Sequence, residues 1–431
     1  MARPSTSHTG SQAWRRAGPL LAIAGLIAIA LATLTPTNDT RHVVLTTPLL
    51  CLICGDQGMA DVTANLLLFL PFATGLRLAG WSWGRTVAAA AAVSFSVEVL
   101  QFTVIPGRDA SLSDILTNTT SGALGAVLGG VLPVLAAPPP GRAGRLLVLG
   151  ILGPLALLGA SAWLLGSDMP RGRLMSRWAH LAPGRDVFEG AVRAVRLNGR
   201  AMPTNAIPAD AGVLREEVAG GKVDLAVDVI SGKPVGYGSW IYVFRVRSRG
   251  AVTLGQLHRF AVFEVPSRSF RFRFFQPAVT LTDGLPAKAG VPVALRATER
   301  GRHLVLTSTY GGRTRTVALG ITPAYGWVMI SPFQFGGLER WVTALCLAAL
   351  YFPAGYWAAS IGRPGAAAAV LVGGIGVTLL GLSPIAGLAA APLTEWLGAL
   401  GGVALGWAVR RAAAYLETPC VSPSTSEFSS P

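Results

Sequence analysis

The chain has 431 residues, of which 51% are apolar and 13% charged, and it carries a net charge of +15. Soluble domains hold about twice that charged fraction, which excludes an ordinary soluble protein and predicts one that crosses a membrane several times. The excess of basic residues comes with no nucleic-acid-binding motif, so it points to anionic lipid heads or envelope polymers rather than to DNA or RNA.

In chain order, residues 1–16 are polar and read as a disordered cytoplasmic N-terminus. Eight apolar stretches of bilayer-spanning length follow, at about 17–35, 62–80, 86–105, 114–136, 145–166, 340–361, 366–385 and 388–409. The first follows Arg15 and Arg16 and ends in "ALATLTP", which has something of a secretory signal. It is long for one, and a retained helix is expected. If the spans alternate, Arg3, Arg15, Arg16, Arg77, Arg85, Arg142, Arg145, Arg363, Arg410 and Arg411 share one side, and only Arg41 and Arg108 mark the short loops of the other. The basic side is the cytoplasmic one. Both termini are then inside, and the loop from Val104 to Asp114 is outside.

The long segment after the fifth span also falls outside, although it holds 24 Lys+Arg against 12 Asp+Glu between Ser167 and Arg340. Long domains translocate largely regardless of charge. Its pattern changes to short alternating runs: "KVDLAVDVIS", "SWIYVFRVRS", "AVTLGQ", "RFAVFEV", "SFRFRFF", "VPVALRAT", "RHLVLTSTY" and "RTRTVAL". These predict an antiparallel all-β sandwich, with Trp240, Tyr242, Phe244 and Phe274 in its core. The domain plan is therefore a five-helix membrane domain at 17–166, an extracytoplasmic sandwich at 167–337, three membrane helices at 338–411 and a disordered cytoplasmic tail at 412–431. A weak echo links "SDILTNTTSGALG" in the fourth span with "TEWLGALGGVALG" in the eighth.

The cysteines and histidines suggest little chemistry. Cys51 and Cys54 lie in an outer loop where a disulfide can form, Cys346 is a small apolar helix residue, and Cys420 lies in the tail. His8, His42, His180, His258 and His303 are scattered and lie outside the spans. No metal set and no cofactor motif is expected.

The informative residues lie around one hairpin tip. Asp61 and Asn65 enter the second span, Glu98 and Gln101 end the third, and Asp114 and Asn118 begin the fourth. The spacings i,i+3 and i,i+4 put each pair on one helix face, and the alternation of spans puts all three pairs at one depth on the outer side. Ser111 or Ser113 is a candidate N-cap, and Asp114 suits the first turn of a helix dipole. Glu98 is embedded and has no cap to serve. Arg108 in the loop is the available cation, with a fork that suits a carboxylate or phosphate. Gly122, Gly125 and Gly129 would let the fourth helix approach its neighbours, and Pro71 would kink the second.

These residues carry a resemblance. "DVTANLLLFLPFATGL" followed by "SFSVEVLQFTVIPGRDASLSDILTNTTSGALGAVLG" resembles the VanZ-like family of membrane proteins over about residues 20–165. The matching positions are Asn65, Phe69, Pro71, Glu98, Gln101, Arg108, Asp114, Asn118, Gly122 and Gly125, and Ala73 departs from the pattern where glycine is usual. The resemblance implies an envelope role, the namesake being associated with resistance to the glycopeptide teicoplanin. The β segment is similar, more faintly, to the concanavalin/laminin-G jelly-roll class in "TLGQLHRFAVFEV" and "GVPVALRATERGRHLVLTSTYGGRTRTVAL". That likeness implies glycan contact.

Two functions compete. In one, Asn65, Glu98, Gln101, Arg108, Asp114 and Asn118 line an outward pocket for an anionic or lipid-linked envelope ligand or an antibiotic, with membrane lipids and envelope glycan as partners. In the other, an intramembrane enzyme uses Glu98 as a general base with Asp114 beside it. A transporter ranks third, since no clear inverted repeat is seen.

Overall fold

The computed structural model describes residues 7–35, 53, 57–105, 111–180, 185–246, 249–331 and 338–417. Arg108, Cys51, Cys54 and Cys420 lie outside the described residues. Among the described residues, seven helices are long and apolar enough to cross a membrane, so the chain is a multi-pass membrane protein. They are α1 (Ser7–Leu34, apolar from Trp14), α2 (Gly58–Leu78), α3 (Trp83–Thr103), α4 (Leu112–Ala136), α5 (Pro140–Leu165), α7 (Glu339–Ala358) and the stretch Pro364–Ala386. The last of these joins α8 (Pro364–Gly376) to α9 (Leu382–Ala386) through a π-turn over Val377–Gly381.

The expected eighth span is a helix, α10 (Leu393–Glu417), but it is not among the seven. Glu395, Gly398, Gly401, Gly402, Gly406, Arg410 and Arg411 dilute its apolar character. Within the described residues, the expected disorder at the two ends is corrected in part. Residues 7–16 continue α1 and residues 412–417 continue α10, where runs such as Arg410–Ala414 favour helix.

The chain divides into two compact units, one of residues 1–137, 158–339 and 380–391, the other of 138–157, 340–379 and 392–431. In the second unit α10 lies on α7, with Gly398, Gly402 and Gly406 set against the carbonyls of Ala344, Ala348 and Phe352. Small residues at four-residue spacing make this close approach possible.

In the first unit α2 is the hub, flanked by α1 and α4, and α3 packs on α4. Gly122 of α4 faces Ala90 of α3, where a Cβ would collide with the alanine methyl. One turn on, a Cβ at Gly125 would sit 2.7 Å from the Ala73 Cβ and 2.9 Å from the Leu70 carbonyl of α2. Ala73, the departure from the resembling pattern, is itself fully buried, and the room for its methyl comes from Gly125. The α2 helix runs through Pro71 without a break.

The β region comprises β1 (Leu174–Trp178), β2 (Ala191–Leu197), β3 (Arg200–Ala201), β4 (Asn205–Ala206), β5 (Lys222–Ile230), β6 (Val235–Val246), β7 (Arg249–His258), β8 (Phe260–Glu264), β9 (Ala278–Leu281), β10 (Pro292–Arg300), β11 (His303–Tyr310) and β12 (Arg313–Gly320). They form two antiparallel six-stranded sheets, in the orders β4-β1-β6-β7-β8-β9 and β12-β11-β10-β5-β2-β3. Alternation decides which side chains go inward. Val223, Leu225, Val227 and Val229 of β5 share one apolar core with Tyr242, Phe244 and Val246 of β6 and with Phe263 of β8. Each such side chain contributes about 1.5–3 kcal/mol when fully buried. Gly311 and Gly312 take φ of +56° and +71° to close the β11–β12 hairpin, a turn that glycine makes without strain.

Three expectations fail here. "SFRFRFF" is not a strand: Arg268–Phe272 forms a 3-10 turn, and its arginines bond to neighbouring carbonyls and carboxylates instead of alternating along a ladder. A short helix, α6 (Ala211–Ala219), burying Leu214 and Val218, interrupts the strands. Trp240 is outside the common core, stacked on His180, whereas Tyr242 and Phe244 are fully buried within it and Phe274 packs half-buried against it.

The β region is pinned to the end of α5 by a buried ion pair. Arg302 Nη1 lies 2.5 Å from Glu299 Oε1, with the side chains 1% and 0% exposed. Arg302 also donates to the carbonyl of Leu165, the last residue of α5, where a cation complements the helix dipole.

Candidate functional site

The site begins with the way α4 starts. Ser111 caps it, its Oγ accepting the Ser113 N–H at 3.2 Å. The Ser111 N–H in turn donates to Glu98 Oε2 at 2.7 Å. Glu98 therefore does serve a cap, that of the neighbouring helix, which corrects the expectation that it had none. It is buried at 6% exposure in a multi-pass protein, where an uncompensated carboxylate is costly, and this bond across the hairpin offsets part of that cost.

Asn65 Nδ2 of α2 donates to Asp114 Oδ1 of α4 at 2.8 Å. Asn118, one turn below Asp114, is buried and donates through Nδ2 to Ser94 Oγ of α3 at 3.0 Å. Its Oδ1 is buried with no hydrogen-bond partner among the described residues. Gln101, also buried, donates to the Thr33 carbonyl of α1 at 3.0 Å. Five of the six expected site residues, Asn65, Glu98, Gln101, Asp114 and Asn118, are thus tied into the interhelical contacts of α1 to α4. The sixth, Arg108, lies outside the described residues.

Three acids converge. Asp114 lies within electrostatic reach of both Asp61 and Glu98. Among the described residues neither Glu98 Oε1 nor Asp114 Oδ2 takes a hydrogen bond. Among the described residues three acceptors of the cluster remain without a hydrogen bond: one carboxylate oxygen each of Glu98 and Asp114, and the Asn118 carbonyl oxygen. Such a set matches a ligand rich in hydroxyl or amine donors.

Sequence reasoning missed Ser94, Ser121 and the Thr33 carbonyl. Ser94 and Ser121 are both fully buried, and Ser121 Oγ donates to the Leu66 carbonyl at 2.5 Å. The signal for Ser94 was present, since Ser94, Glu98 and Gln101 fall at i, i+4 and i+7 on one face of α3. The expected Cys51–Cys54 disulfide lies outside the described residues, and Cys346 is a free, half-buried thiol on α7. Among the described residues no group of three or more His, Cys, Asp or Glu side chains is arranged to hold a metal ion.

No curated protein and no solved structure matches the chain. One family model does, and it covers α1 to most of α4, stopping short of α5, which the sequence resemblance had included. Residues 5–132 match the family described as VanZ/LLP1.

Proposed function

We propose that the chain is a VanZ-like membrane protein of the cell envelope whose polar cluster binds an amphipathic or lipid-linked envelope ligand. The arginine-rich short loops mark the cytoplasmic side, so the starts of α2 and α4 and the ends of α3 and α5 face outward. The β region then lies outside, as a two-layered sandwich of jelly-roll kind that meets envelope glycan. The binding reading draws on Glu98, Asp114 and Asn118: among the described residues Glu98 Oε1, Asp114 Oδ2 and the buried Asn118 Oδ1 take no hydrogen bond, in a bundle where polar groups are expensive. The ligand turns hydroxyl or amine donors to these oxygens, and Arg108 of the connecting segment takes its anionic group. A glycopeptide-resistance role fits such a site, since lipid-linked wall precursors carry both kinds of group.

The test replaces Glu98 by Gln and Arg108 by Ala, separately and at matched expression. The readouts are retention of undecaprenyl-phosphate-linked saccharide and teicoplanin susceptibility. Binding should fall in both variants. If neither change alters retention or susceptibility, the cluster is structural only. A second reading, an intramembrane enzyme with Glu98 as base, draws on the Glu98–Asp114 proximity. It predicts retained binding with lost turnover in Glu98→Gln alone.

A further inference from the structure

A cavity of about 430 Å³ opens on the β region where β5 begins and β10 ends, between the Gly220–Gly221 turn and Gly301. Its size is that of a small-molecule site. Asn198, Lys222, Asp224 and Arg300 line it. Glu299 borders it too, but that side chain is fully buried and committed to Arg302.

Strand register sets the charges. Lys222 and Arg300 are direct partners in the β5–β10 ladder, so both side chains leave the same face of the sheet, with Cβ atoms about 4.5–5.5 Å apart. Like charges placed in this way are destabilising. Among the described residues neither cation takes a hydrogen bond or a close ion pair. The acids within their electrostatic reach are Glu217 and Asp224, and both are already held. Asp224 receives Arg296 on both oxygens, at 3.0 and 2.7 Å. Glu217 receives two nitrogens of Arg200, at 2.8 and 3.2 Å, and the Asn198 amide at 2.8 Å. These bonds hold both carboxyls below their ordinary pKa. Arg200 also reaches Asp210 at 3.5 Å. Among these groups four cations meet three carboxylates, and the two uncommitted cations are those at the cavity.

We propose that the cavity binds an acidic sugar, with its oxyanion between Lys222 and Arg300 and a hydroxyl on Asp224. The oxyanion replaces a repulsion by two attractions, and the Arg300 fork suits carboxylate or phosphate. Each Asp224 oxygen gives Arg296 one bond and keeps room to accept a hydroxyl. A ligand for this cavity therefore needs an anion beside hydroxyl donors, and the acidic group can be a carboxylate or a phosphate ester. The choice of a sugar rests on the reading that the β region meets envelope glycan; the charge arrangement does not.

The experiment uses the full chain in a polyoxyethylene detergent, which carries neither sugar nor charge. Calorimetry titrates glucuronate, glucose 6-phosphate and neutral glucose. At least one of the two acids should bind more tightly than glucose, and which one identifies the acidic group. Lys222→Gln and Arg300→Gln should each weaken that binding by about threefold or more at constant ionic strength, near the upper end for a solvent-exposed ion pair. Arg259→Gln, between β7 and β8 of the other sheet, should leave it unchanged. No binding of either acid, glucose binding as tightly as both, or all three variants binding like the parent chain overturns the site. Retention of the chain on insoluble peptidoglycan tests the glycan reading separately, so retention without acidic-sugar binding removes the cavity site alone. If a Gln variant does not fold, acetylation of Lys222 in the parent chain, read by mass spectrometry, decides. An acidic sugar should slow it where glucose does not, and equal rates refute the site.

Discussion

Replacing Glu299 by Leu and Arg302 by Met, singly and together, tests what joins the β region to α5. The two side chains are all but fully buried, 2.5 Å apart. Arg302 also donates to the Leu165 carbonyl and, at 3.3 Å, to the Pro266 carbonyl. Removing either partner leaves the other charge buried without its counterion, at a cost of about 3–5 kcal/mol. The double change removes both charges and strands the two carbonyls, which costs about 1–3 kcal/mol for buried acceptors left unsatisfied. The double variant should therefore be more stable than either single one. The measurement is guanidinium-induced unfolding of the β region in the full chain, followed by tryptophan emission in detergent. If the two single effects simply add in the double variant, the pair is not coupled and the reasoning fails.

Two further outcomes follow from packing and charge. Gly125→Leu would drive a side chain into Ala73 and the Leu70 carbonyl, so it should cost about 1–3 kcal/mol and lower the melting temperature in detergent. Gly130→Ala, whose Cβ meets nothing nearer than the Arg77 guanidinium at 3.7 Å, should be tolerated. His180 should titrate below its ordinary value of 6.5. Between its folded value and 6.5 the unfolded chain binds more protons, so stability falls as pH drops through that window, and the loss is complete below the folded value. The ring resonance identified by its absence in His180→Gln reports the midpoint, and a midpoint at or above 6.5 would contradict the lowering by burial and by the neighbouring Arg177 and Arg245.

Much of this architecture was legible in the sequence for simple reasons. Apolar length marked the spans, and strict alternation marked β5, β10 and β11, whose inward residues form the core, and β12, whose Val317 and Leu319 pack partly buried against it. The glycine spacing in α4 announced its contacts with α2 and α3. The polar pairs were legible as pairs because helix geometry fixes which residues share a face, and Asn65 does meet Asp114. What periodicity could not convey was the partner across a gap of many residues. Glu98 finds a backbone N–H on the next helix, and Gln101 finds a carbonyl 68 positions earlier. Alternation also misled once. "SFRFRFF" has a strand's pattern, yet its arginines are drawn off to Trp163, Asp168 and Ile53, and those tertiary bonds outweigh local preference.

That turn has a consequence for any shortened version of the protein. Arg268 holds the Trp163 carbonyl and Arg271 pairs with Asp168, both at the end of α5. Arg273 takes the Ile53 carbonyl and offers its own carbonyl to the Met59 N–H at the start of α2. Six residues of the β region thus act as a spacer bar between two helix ends that the chain otherwise connects only through α3 and α4. A fragment ending at residue 165 would keep the matched family segment but lose the bar. The mouth of α2, where Asp61 and Asn65 begin the polar cluster, would then be held by helix packing alone.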